Sequence, residues 1–311
     1  MASLHKGRVI GVAVETSMHA SPIKDPCLDE ISRLQLERNA LELDVAGYTV
    51  VEDVLDPDLT ARGLEAALNM FADRTGKRPN VETGAGYEGY WVQRYLLLKD
   101  PVFEEIIMAE KVLALIDFIV GQDCILSTLT GHIRGEGGGE TLPTGYLGLH
   151  GDDVTPMPNA NYLNFATVNI CLTDVDEASG CLAFVPGSHK LRRQPTEPER
   201  VLAGEGANSN AVPCVAPAGS AIIWPSHTWH GSWVSETRGL RGTPAELFCR
   251  PYLQTYEMYR ETVPQEVLER NSARFATLMG MDTITGWNEN QDDWMKPWSD
   301  RDRSRYKPPV G

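Results

Sequence analysis

The stretch GYLGLHGDDV, residues 145–154, places a histidine two positions before an aspartate and directly after a glycine-rich run. Because residues i and i+2 of a β-strand point to the same face, His150 and Asp152 would present an imidazole and a carboxylate side by side, while Asp153 points away. These are two of the three ligands of the 2-His-1-carboxylate arrangement that binds non-haem iron. A His-x-Asp pair alone is a weak signal, so the prediction of a metal site requires a second histidine from another strand.

Three histidines further along the chain are candidates for that ligand. His189 follows a Pro-Gly-Ser turn, whereas His227 and His230 lie in IIWPSHTWHGSWVSE, residues 222–236. This segment begins in the apolar run 220–224, which is typical of a strand, so its histidines are expected at the mouth of that strand. The residues alone leave the choice between these histidines open.

The sequence pattern between about residues 122 and 256 favours an all-β sandwich or barrel. Short apolar or β-branched segments recur there between turn residues, which is the pattern of short strands; they are 124–129, 166–173, 181–188, 220–224 and 246–253. The run 135–148 contains too much glycine for a strand interior and predicts a loop. Helical periodicity predicts flanking helices that pack on the sheet, at 56–74, 100–121 and 264–281. Fold class is therefore expected to be mainly β with flanking helices.

Composition excludes several classes of function. The net charge of −15 disfavours nucleic acid as a partner, because binding to a phosphate backbone depends on Lys and Arg. No apolar run approaches the roughly 20 residues that span a bilayer, so we expect no membrane association. The first 25 residues carry no convincing secretory signal, and the six cysteines form no CxxC pair, so we expect a cytoplasmic protein without a cysteine zinc site. No repeat or linker divides the chain, which predicts a single domain over 1–311.

Three blocks in order along the chain resemble the phytanoyl-CoA dioxygenase family of Fe(II)/2-oxoglutarate-dependent oxygenases. They are GLHGDD around His150, EASGCLAFVPGSHK at 177–190, and HTWHGSW followed by an arginine. In the middle block Ser179 stands where the family usually has asparagine. The resemblance covers about residues 40–256, with a C-terminal helix and an irregular, tryptophan-containing tail at 257–311. It implies a double-stranded β-helix core, also called a jelly roll.

The resemblance also assigns the remaining ligands. The distal metal ligand of the family is the histidine of His-Gly-Ser, which is His230 here; His227 then becomes a neighbour or a surface histidine, and His189 a structural residue. The family places an arginine that binds the far carboxylate of 2-oxoglutarate eleven residues later, at Arg241, with Arg238 as the rival. Arginine suits this task because its planar fork donates two parallel hydrogen bonds. Ser232 matches a position that touches the cosubstrate.

Two further cosubstrate contacts are weaker expectations. Asn169, eleven residues before Gly180, aligns with a residue that lines the 2-oxoglutarate pocket, and Gln93 in GYWVQRYL is a polar candidate from outside the barrel strands. Small polar residues on strands are also common in cores and at sheet edges. For both residues, therefore, a structural role stays open.

The function that the resemblance implies is oxidation of a small organic molecule with Fe(II), 2-oxoglutarate and O2, which releases succinate and CO2. Hydroxylation is the first expectation, with desaturation, epoxidation or rearrangement as variants. Asp152 argues against halogenation, because halogenases of this superfamily carry Gly or Ala at that position. A jelly-roll metal hydrolase or a non-catalytic binding protein is the alternative, since zinc also accepts His and Asp. Arg241 disfavours the hydrolase, which needs no arginine at that distance.

The sequence says less about the substrate than about the reaction. No basic cluster suits the phosphates of coenzyme A, and aromatic residues around the expected mouth of the cavity favour a largely apolar molecule. A natural-product intermediate is the first expectation, and an amino-acid-like or acyl substrate the second. The expected rim residues are Tyr90, Trp91, Tyr146, Met157, Asn161, Tyr162, Trp229 and Trp233. A homodimer is one option for assembly, because the tail could cover a neighbouring subunit.

Overall fold

Two antiparallel β-sheets form the centre of the protein. The computed structural model describes residues 26–85, 90–136, 147–153, 163–236 and 239–281. The strands are β1 (Thr49–Val51), β2 (Tyr90–Gln93), β3 (Ile125–Arg134), β4 (Leu147–His150), β5 (Phe165–Ile170), β6 (Leu182–Phe184), β7 (Val212–Cys214), β8 (Ala221–Pro225), β9 (His230–Ser232) and β10 (Arg241–Cys249). The larger sheet has the order β1-β8-β5-β10-β3-β2, and the smaller sheet has the order β4-β9-β6-β7.

The two sheets face each other across a shared interior. One buried cluster joins Ile222 and Trp224 of the larger sheet to Leu182 and Phe184 of the smaller sheet. Consecutive strands β3 and β4, and likewise β5 and β6, lie in different sheets, so the chain repeatedly crosses between the sheets. This is the double-stranded β-helix that the sequence predicts.

Helices cover the outer face of the larger sheet. They are α1 (Pro26–Arg33), α2 (Glu37–Val45), α3 (Pro57–Thr75), α4 (Val102–Ile106), α5 (Glu110–Val120), α6 (Tyr259–Thr262), α7 (Gln265–Arg270) and α8 (Ala273–Leu278). Their apolar side chains form the main core with outward-facing residues of β3, β5, β8 and β10, such as Leu129, Val168, Ile223 and Phe248. The inner face of the larger sheet is thereby left to face the smaller sheet. Within the described ranges, no helix has the length and hydropathy that a membrane crossing requires.

The predicted helix at 56–74 is confirmed as α3. Asp56 precedes it and accepts a hydrogen bond from the Leu59 amide at 2.8 Å, which is an N-cap. At the other end, Gly76 adopts φ +73°, a left-handed conformation that glycine reaches without strain. The start and end of this helix are thus local properties of its sequence.

The other two predicted helices are each broken in two, so the single helices predicted there were wrong. The segment 100–121 forms α4 and α5, because Ala109 leaves helical geometry with ψ 114°. The segment 264–281 forms α7 and α8, separated where Asn271 binds Glu104 of another helix and Ser272 caps α8 through the Phe275 amide. Tertiary contacts therefore redirect the chain within a continuous apolar pattern.

Candidate metal centre

The first two candidate ligands lie directly opposite each other in the smaller sheet. His150 at the end of β4 pairs with His230 at the start of β9, and their ring centroids are 4.4 Å apart. The Asp152 Oδ1 atom lies 3.8 Å from His150 Nε2 and 3.4 Å from His230 Nε2. One potential ligand atom from each residue falls within 4.8 Å of the others. Two imidazoles and one carboxylate therefore converge on one point.

Backbone carbonyls fix the tautomer of both imidazoles. His150 Nδ1 lies 3.0 Å from the Gly148 carbonyl oxygen, and His230 Nδ1 lies 2.9 Å from that of Thr228. Since a carbonyl oxygen only accepts, each Nδ1 carries the hydrogen, and each Nε2 lone pair is directed towards Asp152. Histidines that bind metals have this arrangement, with the second ring nitrogen donating to a carbonyl or carboxylate. The donor set thus fits a divalent transition metal.

The Asp152 carboxylate is oriented from the opposite sheet. The Thr167 hydroxyl on β5 donates a 2.8 Å hydrogen bond to Asp152 Oδ2, while Oδ1 faces the imidazoles. Burial would raise the pKa of Asp152, but His230, His150 and the Thr167 hydroxyl together hold this pKa well below its usual value. The carboxylate is therefore ionised at neutral pH, as a metal ligand must be.

The two histidines differ in their protonation equilibria. Burial, and then the nearby His230, lower the pKa of His150 to about 4. For His230, burial alone would lower the pKa, but the adjacent Asp152 carboxylate raises it above its usual value. His150 is therefore neutral at physiological pH, with its Nε2 lone pair available to a cation.

The geometry around Asp152 differs from the predicted strand. β4 ends at His150, so the i and i+2 argument from a continuous strand is not the reason that the two side chains converge. Gly151 lies instead in a bend held by Gln194, whose side chain accepts from the Gly151 amide at 2.9 Å and donates to the carbonyls of Gly151 and Asp153 at 3.0 Å each. This bend directs Asp152 towards the histidines.

The other two candidate histidines lie outside the centre. His227 is buried and faces Asp153 at 3.8 Å between its Nε2 and Oδ2, so it is a neighbour of the site rather than a ligand. Asp153 points away from the ligands, as predicted. His189 lies near the Asp44 carbonyl oxygen, at 3.1 Å from Nε2, in a structural contact.

Arg241 and Ser232 both lie in the interior between the sheets. Arg241 begins β10, is 5% exposed, and its Nη1 donates to the Gly180 carbonyl oxygen, just before β6 of the smaller sheet. Ser232 is buried on β9, two residues after His230 and hence on the same face of the strand. A buried cation and a hydroxyl thus follow the metal ligands along the interior. Arg238, the rival arginine, lies outside the described residues.

Asn169 and Gln93 lie on opposite faces of the larger sheet. Asn169 is two residues after Thr167 on β5, so it shares the inner face from which Thr167 reaches Asp152. Gln93 pairs with Gly131, which is on the helix-covered face, and it donates to the Arg94 carbonyl oxygen at 2.6 Å. The prediction for Gln93 was wrong, because the alternation of β2 turns it away from the cavity.

Three of the predicted rim residues, all tryptophans, pack against other parts of the protein. Trp91 is buried against Phe71 of α3 at 5.7 Å between ring centroids, on the outer face. Trp229 is 2% exposed and donates to the Arg193 carbonyl, so it is a core residue. Trp233 is half-buried and donates to the Leu202 carbonyl. The Tyr90 side chain and four other rim candidates lie outside the described residues: Tyr146, Met157, Asn161 and Tyr162.

Sequence reasoning missed three residues near the site: two orient Asp152 or its loop, and the third is the cross-strand partner of Arg241. Thr167 could have been found, because it is two residues before Asn169 on the same strand face. Gln194 is 43 residues from the loop that it holds, and nothing local in the sequence marks it. Arg134 closes β3 next to the glycine-rich run, and it was hidden by the expectation that this strand ends near residue 129.

Comparison with known proteins agrees with this geometry. The family model of phytanoyl-CoA dioxygenase (PhyH) matches residues 43–243, about two thirds of the chain and all three ligands. The chain belongs to the phytanoyl-CoA dioxygenase family. The uncharacterized protein Rv1501 of Mycobacterium tuberculosis is 26% identical over 247 residues, which cover 76% of this chain and 84% of the relative.

Solved structures share the fold of this phytanoyl-CoA dioxygenase family member. The non-haem α-ketoglutarate-dependent epimerase SnoN from nogalamycin biosynthesis is 21% identical, with a TM-score of 0.53 over 70% of this chain and 84% of SnoN. HygX from Streptomyces hygroscopicus, solved with nickel and 2-oxoglutarate bound, is 17% identical, with a TM-score of 0.56 over 71% of this chain and 89% of HygX. The protein therefore has the double-stranded β-helix fold of the 2-oxoglutarate-dependent oxygenases.

Proposed function

We propose that this protein is an Fe(II)/2-oxoglutarate-dependent dioxygenase that oxidises a small organic molecule. The observation that carries the proposal is the convergence of Asp152 Oδ1 with two imidazole Nε2 atoms, at 3.8 and 3.4 Å, with both Nδ1–H groups bound to carbonyls. His150, Asp152 and His230 would hold Fe(II). Bound iron and 2-oxoglutarate supply oxidation by O2, with succinate and CO2 as coproducts.

The protein contributes charge and position to this reaction. Arg241 and Ser232 would bind the far carboxylate of 2-oxoglutarate, a position that suits a buried guanidinium because its fork pairs with a carboxylate. Asn169 would line the same pocket from β5. The side chains of His150 and Asp152 are 26% and 29% exposed, so the centre is open to a small molecule from outside. Exclusion of water by that substrate would protect the oxidising centre.

Hydroxylation of a small, largely apolar molecule in natural-product biosynthesis is the finer proposal. The epimerase SnoN belongs to nogalamycin biosynthesis, and HygX has been solved with hygromycin B bound, so two structural neighbours are associated with natural products, although hygromycin B is polar. Their identity with this chain is below 25%, and the substrate therefore requires its own test. Desaturation, epoxidation or rearrangement are alternative outcomes of the same chemistry.

The first test is anaerobic titration of the metal-free protein with Fe(II) and then 2-oxoglutarate. We expect a weak visible charge-transfer band that appears only with both, together with a rise in the thermal midpoint. Binding of a divalent metal without any response to 2-oxoglutarate would favour the metal hydrolase, and no metal binding would favour a binding protein. The second test is succinate release in air across a panel of polyketide, terpenoid, amino-acid and acyl compounds, and stimulation by one class identifies the substrate.

A further inference from the structure

A second arginine lies beside Arg241 in the cavity. Arg134 ends β3 and is the direct cross-strand partner of Arg241 at the start of β10. Directly opposed residues of an antiparallel pair lie on the same face, with Cβ atoms about 5 Å apart. Both side chains are 5% exposed, so two guanidinium groups are buried side by side.

Both guanidinium groups extend to the same point on the smaller sheet. Arg241 Nη1 donates to the Gly180 carbonyl oxygen, and Arg134 Nη1 lies 3.5 Å from that oxygen and 3.4 Å from the Trp233 carbonyl oxygen. Trp233 follows Ser232 directly in the chain. The two arginines and the serine hydroxyl proposed to bind the cosubstrate thus belong to one region of the interior.

The histidine next to this pair adds no charge. His132 is two residues before Arg134 on the same face of β3, and its Nε2 lies 2.7 Å from the Thr130 hydroxyl. Burial, and then Arg134 and Arg241, lower the pKa of His132 to about 3. The imidazole is neutral at physiological pH, so it adds no positive charge beside the two guanidinium groups.

We infer that Arg134 is a second carboxylate-binding arginine, which binds the far carboxylate of 2-oxoglutarate together with Arg241. The inference rests on the proposed function and adds a residue to it. Two guanidinium groups side by side place several N–H donors within reach of one bound carboxylate. A carboxylate accepts several hydrogen bonds through its two oxygens, so it accommodates both guanidinium groups.

A structural role for Arg134 is the competing explanation. The contacts of Arg134 with the Trp233 and Gly180 carbonyl oxygens, at 3.4 and 3.5 Å, are at the long end of the hydrogen-bond range. Arg241 makes a short contact with the same oxygen. A bound anion would draw the Arg134 guanidinium into a shorter, charge-assisted interaction.

The test compares two ligands that differ only at the far end. 2-Oxovalerate has the 2-oxo acid group of 2-oxoglutarate but a methyl group in place of the far carboxylate. Dissociation constants of both are measured anaerobically on the Fe(II)-loaded full chain by charge-transfer absorption or calorimetry, for wild type, Arg134→Gln and Arg134→Lys. Arg274→Gln is the matched control, because Arg274 also donates to a backbone carbonyl but does so on the helical side, at Gln122.

We expect Arg134→Gln to weaken 2-oxoglutarate binding tenfold or more while 2-oxovalerate binding stays unchanged, since one charge-assisted contact is lost. Arg134→Lys keeps the charge without the fork and should bind 2-oxoglutarate with intermediate affinity. Arg274→Gln should lower the thermal midpoint without changing either dissociation constant. If circular dichroism shows that Arg134→Gln is unfolded, Arg134→Lys provides the test. Its ratio of the 2-oxoglutarate and 2-oxovalerate dissociation constants is then compared with the ratio for wild type.

Two results overturn the inference. Unchanged 2-oxoglutarate binding in the folded variant, or equal weakening of both ligands, would assign Arg134 a structural role. Wild-type protein that binds Fe(II) but not 2-oxoglutarate would contradict the proposed function itself. The two failures are therefore distinguishable.

Discussion

Each of the three candidate ligand side chains is oriented by a hydrogen bond with a residue that is not itself a ligand. Asp152 receives the Thr167 hydroxyl from the opposite sheet, and each imidazole is oriented by a carbonyl two residues away on its own chain segment. The histidines thus bring their own orienting groups, whereas the carboxylate depends on another strand. This difference determines which substitutions should weaken the site.

Asp152→Ala should abolish Fe(II) binding and turnover, because it removes the carboxylate that lies between the two imidazoles. The measurement is Fe(II) titration with a spectroscopic readout, followed by succinate release. Asp153→Asn is the matched control: Asp153 is adjacent in sequence but faces His227, so Fe(II) binding should be retained. Full turnover by Asp152→Ala would show that the wrong carboxylate had been assigned.

Arg241→Ala should raise the concentration of 2-oxoglutarate required for half-maximal succinate release by a factor of ten or more, with little change in Fe(II) affinity. The reason is the loss of a buried guanidinium that would bind the far carboxylate. An unchanged requirement for 2-oxoglutarate would favour Arg238 as the arginine that binds the far carboxylate. Fe(II) affinity, measured in the same preparation, shows whether the site itself is intact.

Thr167→Val should lower Fe(II) affinity by about tenfold while the fold is retained. Valine is similar in shape but lacks the hydroxyl that orients Asp152, and contacts of this kind to metal ligands are typically worth 10–100-fold in affinity. Thr128→Val is a suitable control, since Thr128 lies on β3 and pairs with Leu247 of β10 rather than contacting Asp152. Equal Fe(II) affinities of Thr167→Val and wild type would contradict the orienting role.

At the level of elements, the loop after β4 is the part of the site that local sequence does not explain. Gly151 and Asp153 are held by three hydrogen bonds from Gln194, which follows the 3-10 helix Ser188–Leu191. A side-chain amide suits this role because it donates and accepts at once. The position of Asp152 therefore depends on a segment more than forty residues away.

Gln194→Ala should weaken Fe(II) binding and lower the thermal midpoint together, since the loop loses one acceptor and two donor contacts. Gln194→Glu keeps the acceptor for the Gly151 amide but loses both donors, so we expect an intermediate Fe(II) affinity. Fe(II) titration and thermal denaturation of the metal-free protein separate the two effects. A lower midpoint with unchanged Fe(II) affinity in both variants would contradict the positioning role.

At the level of the whole molecule, one carboxyl is buried between the larger sheet and its helices. Glu246 of β10 is fully buried opposite Leu129 and Val168, and neither carboxyl oxygen has a hydrogen-bond partner among the described residues. Burial raises the pKa of Glu246 to about 8. The folded protein therefore holds a proton that the unfolded chain releases near its ordinary pKa of 4.5.

The consequence is a loss of stability as pH rises. Between pH 4.5 and 8 the folded state binds more protons at Glu246 than the unfolded state does, so the free energy of unfolding falls with pH across this window, by up to a few kcal/mol. Glu246→Gln should remove this slope, which urea denaturation at pH 5, 6.5 and 8 would measure. Glu197→Gln, at a side chain 89% exposed, should keep the wild-type slope. If the free energy of unfolding depends on pH equally in Glu246→Gln and wild type, the raised pKa of Glu246 is contradicted.

Much of this protein was determined by its sequence alone. Local patterns predicted the helix at 56–74 and the short strands between 122 and 256, because capping and alternation act over a few residues. The candidate ligands His150 and Asp152 belong to one short motif, whereas the resemblance to the family selects His230. The breaks in the other helices, the outward position of Gln93 and the Gln194 contact were decided only by tertiary structure. The pairing of Arg134 with Arg241 belongs to the same group. The physical reason is that strand register sets which face a side chain occupies, and register is fixed by partners that are distant in the chain.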